Sequence, residues 1–481
     1  DITDQLKFNG KDTLEIEVED YDVTECPERI VGKQDWYGNA AGIWQSIELW
    51  VVDKVYIKEV KVYPQKDLQS IDLVINFSDG KFYPVDVSIV DQDGVQVVAK
   101  TLKPGETHIK IPEPKLWFPD KPHLYKLKVN FREKKNQDTF LTRFGLRYIE
   151  SKDEKIVFNG KPLYIFGALD QNFYPDTHYS LRDRNEIFSE FAKAKDMGLN
   201  LLRYHVKIPD DIYLNVADEL GILVWIDLPY ARELNKSSKK YLEYLLENVL
   251  RRHANHPSFV ILSLINESWG LNLSEDITDE TKKWISSFFK KAKKLDSTRL
   301  YVDNSACRGN YHTISDIDDF HFYSSYPYHN QKWDEYVKNF ASGELKTFIN
   351  KPEKKLPKIV SEFGVWGLSS PERWEGIWSE NPMAIAGIIF PQTEPAEAVK
   401  KISEFHNVYD FISQAQLTQL MGLKYQTERM RMAPEITGYV ITEFSDIAWE
   451  ANGLLDFNRM PKIFYPYMKT LNSEVLGIIP D

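Results

Sequence analysis

Cysteine is nearly absent. The 481-residue chain has two, Cys26 and Cys307, too far apart and wrongly spaced for a zinc site or a disulfide framework. No run of about 18 apolar residues occurs, so no membrane-spanning helix is expected. No dense basic block occurs either. Lys and Arg number 60 against 72 Asp and Glu, a net charge of −12, which gives little pull on nucleic acid. The opening residues, DITDQLKFNG, are neither basic nor apolar enough for a signal peptide. The expectations are no nucleic-acid partner, no membrane partner and a cytoplasmic location; a homo-oligomer is left open.

What is present is apolar and aromatic. Hydrophobic residues make up 42% and charged residues 27% of the chain, a globular composition with ample core material. The 12 Trp, 26 Tyr and 26 Phe serve large cores or surfaces on which sugars and bases stack, and composition does not choose between these. The length suggests about three domains.

Two styles of sequence meet near residue 150. Ahead of it lie short alternating stretches such as TLEIEVED, GIWQSIELWVV, SIDLVINFSDG, PVDVSIVDQDG, THIKIPEP and LYKLKVNF. Period-two alternation with Asp-Gly turns predicts antiparallel sandwiches. Beyond it, apolar strands alternate with helical patterns. Eight strands can be counted, at 162–168, 200–205, 222–229, 259–267, 299–305, 318–324, 358–364 and 437–446. Eight in roughly 300 residues predict a (β/α)8 barrel rather than an open sheet. The strands are apolar until their last residues, as burial on both faces requires. Strand 4, FVILSLINE, ends on Asn266-Glu267, and strand 7, KIVSEFG, ends near Glu362. The C-terminal strand ends of such a barrel form its active face, so the two carboxylates converge on one mouth. Paired carboxylates across a cleft can run glycoside hydrolysis, one as acid and one as nucleophile, given different pKa values. The alternative for either Glu alone is an ordinary strand-end residue.

FNGKPLYIFG, LGILVWIDLP, HPSFVILSLINESWG and KIVSEFG resemble glycoside hydrolase family 2, as do GIWQSIEL, LWFPDKPHLYKLKV and RFGLRYIE. The resemblance runs from the first residues to about 480. It implies a partial jelly-roll β-sandwich over 1–52, an immunoglobulin-like sandwich over 53–152 and a catalytic barrel over 153–481. It further implies Glu267 as general acid/base, Glu362 as nucleophile and Asn266 as the amide that binds the sugar 2-hydroxyl; a strand-end turn is the other reading of Asn266. His321-Phe322-Tyr323 resembles a His-x-Tyr of related barrels, with Tyr323 bonded to the nucleophile or merely lining the mouth. Arg203 would hold Glu362 ionised. His205 is a further mouth residue or a solvated loop histidine. Trp449 resembles the aromatic floor of the sugar subsite, with a core Trp as alternative. Asp170 could bind sugar hydroxyls, although its context departs from the Arg-His-Glu of well-known members. Asp35 is either the acidic loop residue that the first domain sends into the mouth or a turn residue.

The first sandwich looks incomplete, because DITDQL resembles a mid-domain segment; a truncated N-terminus with an open edge is expected. By the resemblance a glucuronide and a mannoside are disfavoured, because the Asn-x-Lys that family glucuronidases carry after strand 8 and the Trp-Gly-Gly-Gly that family mannosidases carry after strand 2 are absent here. A retaining exo-β-glycosidase acting on an oligosaccharide or glycoconjugate, β-galactosidase-like, is therefore the expectation, with no metal and no cofactor. The alternatives are β-glucuronidase, endo-β-mannosidase or glucosaminidase activity, or a carbohydrate-binding protein with impaired catalysis. The Trp- and Pro-rich insert after strand 7 either walls the pocket or packs as a surface loop.

Overall fold

The computed structural model describes residues 2–7, 9–20, 25–38, 40, 42–181, 183–271, 273–274, 276–369, 408–447 and 450–473. Seven antiparallel strands come first: β1 (Ile57–Pro64), β2 (Ser70–Phe77), β3 (Val85–Val90), β4 (Gln96–Leu102), β5 (His108–Lys110), β6 (Tyr125–Glu133) and β7 (Asn136–Phe144). They form a three-stranded sheet, β1-β2-β5, and a four-stranded sheet, β4-β3-β6-β7. Alternation explains the pairing. Val85, Val87 and Ile89 of β3 point inward, as do Tyr125, Leu127, Val129 and Phe131 of β6, and both sets join Val60, Val62, Ile71 and Leu73 in one core. The residues between them face out.

A small meander follows: β8 (Ile149–Lys152), β9 (Lys155–Phe158) and β10 (Lys161–Leu163). Next come the eight parallel strands, β11 (Ile165–Asp170), β12 (Leu201–Tyr204), β13 (Leu223–Asp227), β14 (Phe259–Ser263), β15 (Leu300–Val302), β16 (Asp318–His321), β17 (Lys358–Phe363) and β18 (Ile436–Ile441). They hydrogen-bond in the order 15-14-13-12-11-18-17-16. An isolated parallel bridge between Ala306 and Phe320 joins the two ends of that order, just beyond β15. This is the expected barrel. Its strands are buried almost throughout. Inside sit residues such as Leu169, Leu201, Trp225, Ile261, Val302 and Val440, and outside sits a larger layer under the helices. The helices start where side chains can cap them. Asp183, Asp210, Asn235 and Thr278 each accept backbone N–H bonds ahead of Arg184–Asp196, Asp211–Leu220, Lys236–Arg252 and Asp279–Leu295.

The sandwich is fastened to the N-terminal ends of the barrel strands. Arg147 donates to Pro257 O (3.1 Å), Phe259 O (2.9 Å) and Thr298 O. Trp117, fully buried, donates its indole N–H to Asp218 O at 2.9 Å. The Asn255 side chain completes the edge of β1, accepting from Val62 N at 2.8 Å and donating to Val60 O at 2.9 Å.

Ahead of Ile57 the structure differs from the expected jelly-roll strands. The described residues there hold a 3-10 turn, Thr3–Gln5, and one short helix, α1 (Gln34–Tyr37), but no strand. TLEIEVED and GIWQSIELWVV alternate correctly, yet Leu14, Ile16, Val18, Leu49 and Trp50 are exposed. Alternation makes a strand only where a neighbour supplies the other half of the ladder. Residues 26–37 do have a defined place, laid along the barrel mouth. Ile30 bridges Ala231. The N–H groups of Val31 and Gly32 both donate to Tyr230 O, at 2.9 and 3.3 Å. Gly32 has φ +56°, and a Cβ there would lie 2.4 Å from Val206 O, so only glycine fits this approach.

Candidate active site

The C-terminal strand ends open into a cleft of about 740 Å³ whose lining includes Glu267, Glu362, Tyr323 and His205. Glu267 stands four residues past β14 rather than at its end. There the backbone has turned left-handed, with φ 48° at Glu267 and 59° at Ser268. Bonds from Glu267 N to Ser305 O and from Ser268 N to the Asn304 side chain, both 2.8 Å, hold this costly conformation. Glu362 is the fifth residue of β17. The reactive atoms of Glu267, Glu362 and His321 all lie within 4.8 Å of one another.

Arg203 organises the floor. It is fully buried on β12. Its Nε lies 2.8 Å from Asp227 Oδ2 and its Nη1 lies 3.2 Å from Glu362 Oε1. Nη2 donates to Asn266 Oδ1 at 2.8 Å. That bond orients the Asn266 amide, whose buried Nδ2 has no hydrogen-bond partner in the structure. Tyr323 donates its hydroxyl to Glu362 Oε2 at 2.8 Å and lies 3.0 Å from Thr442 Oγ1.

His321, the last residue of β16, connects the two carboxylates. Its Nδ1 is 2.8 Å from Glu267 Oε1 and 3.5 Å from Glu362 Oε2. On its other side Nε2 meets Ser305 Oγ at 2.8 Å, and Ser305 and Ser361 both donate to Asp319 Oδ2. With the Ser305 hydroxyl donating to Asp319, Nε2 of His321 donates to Ser305 Oγ. Glu267 and Nδ1 then share a proton. Burial would raise the Glu267 pKa, but the His321 hydrogen bond and charge, helped by Lys33 and His205, hold it at about 2. Burial would lower His321, but Glu362 and the bonded Glu267 outweigh it and raise its pKa.

His205 is not a solvated loop residue. It is buried, lines the cleft, and sets Nδ1 2.7 Å from Asp227 Oδ2; burial keeps it neutral, with its pKa well below 6.5. Asp170 does not reach the cleft. Its carboxylate accepts from Tyr213 OH (2.9 Å) and Asn172 N (2.8 Å), because at the end of β11 its side chain turns toward the helix Asp211–Leu220. The neighbouring Gln171 lines the cleft instead. Asp35 belongs to α1, which borders the mouth, but its side chain lies outside the described residues, as do Trp449 and residues 370–395 of the insert. Sequence reading missed Lys33, Trp36, Trp269, Glu450 and Asn452, all of which line the cleft. Trp269 had a signal, two places after Glu267. Lys33 and Trp36 flank Asp35, whose resemblance already pointed this stretch at the mouth, but nothing in the sequence said which of its side chains would line the cleft.

Among the described residues two groups have the composition of cation ligands: Glu267, His321 and Glu362, and, away from the cleft, Asp211, His253 and His256. Arg203 already supplies positive charge to the first. In the second, Arg252 engages both oxygens of Asp211 at 3.1 Å.

The sequence model of glycosyl hydrolases family 2 matches residues 55–147, and that of the family 2 TIM barrel domain matches 149–389. A β-galactosidase of Thermoanaerobacterium thermosulfurigenes is 27% identical over 309 residues, covering 60% of this chain and 42% of its own length. A β-glucuronidase of Bacteroides fragilis is 24% identical over 406 residues, covering 76% and 54%. The chain thus spans about half the length or less of these curated relatives. Among solved structures, the Ruminococcus gnavus β-glucuronidase in complex with D-glucuronic acid superposes with a TM-score of 0.69 at 16% identity, covering 87% of this chain and 68% of that one. That likeness is one of fold.

Proposed function

Because the chain belongs to glycosyl hydrolases family 2, we propose that it is a retaining exo-β-glycosidase that removes terminal β-linked sugars by double displacement. The observation that carries this reading is the approach of the Glu267 and Glu362 oxygens to within 4.8 Å. An inverting pair stands about 6.5–9.5 Å apart to admit a water, a retaining pair about 5–5.5 Å.

In this reading Glu362 attacks the anomeric carbon. Arg203, with Nη1 3.2 Å from Oε1, and the Tyr323 hydroxyl, 2.8 Å from Oε2, aim it. Glu267 delivers the proton it shares with His321 to the departing oxygen, leaving a glycosyl ester on Glu362. Glu267 then takes a proton from water, which attacks the same carbon, breaks the ester and releases Glu362 as a carboxylate, and the configuration is retained. The unpartnered Asn266 amide serves the 2-hydroxyl. Of the sugars, the sequence favours a β-galactoside. A β-glucuronide is the second reading, supported by the names of several relatives and by the Lys33 cation in the cleft.

The test is a panel of 4-nitrophenyl β-galactoside, glucuronide, mannoside, glucoside and glucosaminide on the chain and on Glu362→Gln. Turnover of one glycoside, abolished in the variant while sugar binding persists, is expected. Turnover that survives in Glu362→Gln overturns the assignment, and a chain that binds sugar equally in both forms without turnover is a binding protein.

A further inference from the structure

Lys33 is a cation without a counterpart. It is 8% exposed and lines the cleft. Among the described residues its ammonium has no hydrogen bond and no ion pair. It is surrounded by ring faces instead, with Nζ 5.2 Å from the Trp36 centroid, 5.4 Å from Tyr37 and 5.0 Å from Trp269. Rings attract a cation but accept none of its three protons well. A nearly buried ammonium lacking acceptors is costly unless something arrives to complete it. Among the described residues no other Lys or Arg lines the cleft. Glu450, the nearby carboxylate of the wall, is engaged by the Trp36 indole N–H at 3.0 Å.

We infer that Lys33 is a substrate-binding residue whose ammonium takes an anionic oxygen group, carboxylate or sulfate, carried by the sugar in the cleft. The inference rests on the glycosidase reading for the identity of that sugar. Position supports it. Lys33 lines the same cleft as Glu267 and Glu362, so its ammonium shares the space that a sugar bound to the catalytic pair would fill. Rigidity supports it too, since Val31 and Gly32 bond to Tyr230 O and Glu233 N bonds to Pro27 O, fixing the segment that carries it. Hydroxyl groups have partners elsewhere, in Gln171 and Asn452. What a lone ammonium adds is a match for formal negative charge.

Lys33→Met keeps the bulk and removes the charge. On the full chain, KM for 4-nitrophenyl β-glucuronide or for a 6-sulfated β-galactoside should rise roughly ten- to a hundredfold, the range for loss of a charged hydrogen bond. Because Lys33 also acts on Glu267, the readout is the ratio: KM for the plain β-galactoside should rise by a clearly smaller factor than KM for the anionic sugar, and Lys33→Arg should recover part of that difference. Which anionic substrate responds identifies carboxylate or sulfate. Calorimetric binding of D-glucuronate, galactose 6-sulfate and galactose needs no turnover and separates the two readings. Anion binding that Lys33→Met weakens, in a chain that hydrolyses nothing, upholds Lys33 and defeats the glycosidase. Hydrolysis or binding in which Lys33→Met moves charged and neutral sugars alike, or neither, defeats Lys33 and leaves the glycosidase standing.

Discussion

At the scale of single residues the site is a set of shared protons and charges. The Glu267–His321 contact sets how it responds to pH. The raised imidazolium keeps a proton on the pair at neutral pH and gives it up only as pH climbs through a value above the ordinary 6.5 of histidine. The alkaline limb of kcat/KM should follow that loss. In His321→Gln the carboxylate loses its strongest support and burial is opposed less, so its own pKa rises from about 2. A carboxyl without its imidazole still releases its proton earlier than the pair does, so the limb should shift to lower pH; a limb that stays in place would remove His321 from the proton's path. Glu267→Gln should cost about 10²- to 10⁴-fold in kcat, the usual range for a lost general acid. The two carboxylates were legible because each ends an apolar run that nothing else explains. Asp170 misled because its place, the end of a barrel strand, suited a ligand. Which way a side chain turns there depends on Tyr213, and no local pattern encodes that.

At the scale of elements, sequence reads best where burial is two-sided. All eight barrel strands announce themselves, since a strand buried on both faces has no polar half to dilute it. Residues 14–20 and 42–52 show the converse, an alternating pattern with no ladder to join. Packing between strands was not legible. Gly438 of β18 approaches β11 so closely that a Cβ would lie 2.5 Å from Ile165 Cβ. Gly438→Ala should cost about 1–3 kcal/mol through overpacking, measured by urea unfolding, whereas a neutral result would mean that the two strands can part. The loop after β15 carries its own titration. His312 is fully buried, with Nδ1 2.9 Å from Asp303 Oδ1 and Nε2 2.7 Å from Asp319 O. Burial would lower its pKa, but Asp303 and Asp319 outweigh burial and raise it to about 9. The stabilisation is complete below the unfolded value of about 6.5 and fades as pH rises through 9. A shift of this size corresponds to about 3 kcal/mol. Unfolding free energies at pH 6 and pH 10 should differ by that much more in the parent than in His312→Gln.

At the scale of the whole molecule, the two modules meet through few but deeply placed side chains. Trp117 has no exposure and reaches the backbone of the helix Asp211–Leu220. Trp117→Ala should cost about 3–5 kcal/mol and split a single melting transition into two in calorimetry; one unsplit transition at the parental temperature would show that the modules do not depend on this contact. The domain order was legible from the change of rhythm near residue 150. The docking was not, because many of its bonds, those of Arg147 and Trp117 among them, run to backbone carbonyls, which any residue provides. All these fastenings, from Arg147 to Asn255, lie at the N-terminal ends of the barrel strands, and the carboxylate pair opens at the other end. A bead or electrode coupled through the outer face of the sandwich would therefore hold the protein with its cleft turned toward the bulk solution, free to meet dissolved or polymeric ligands.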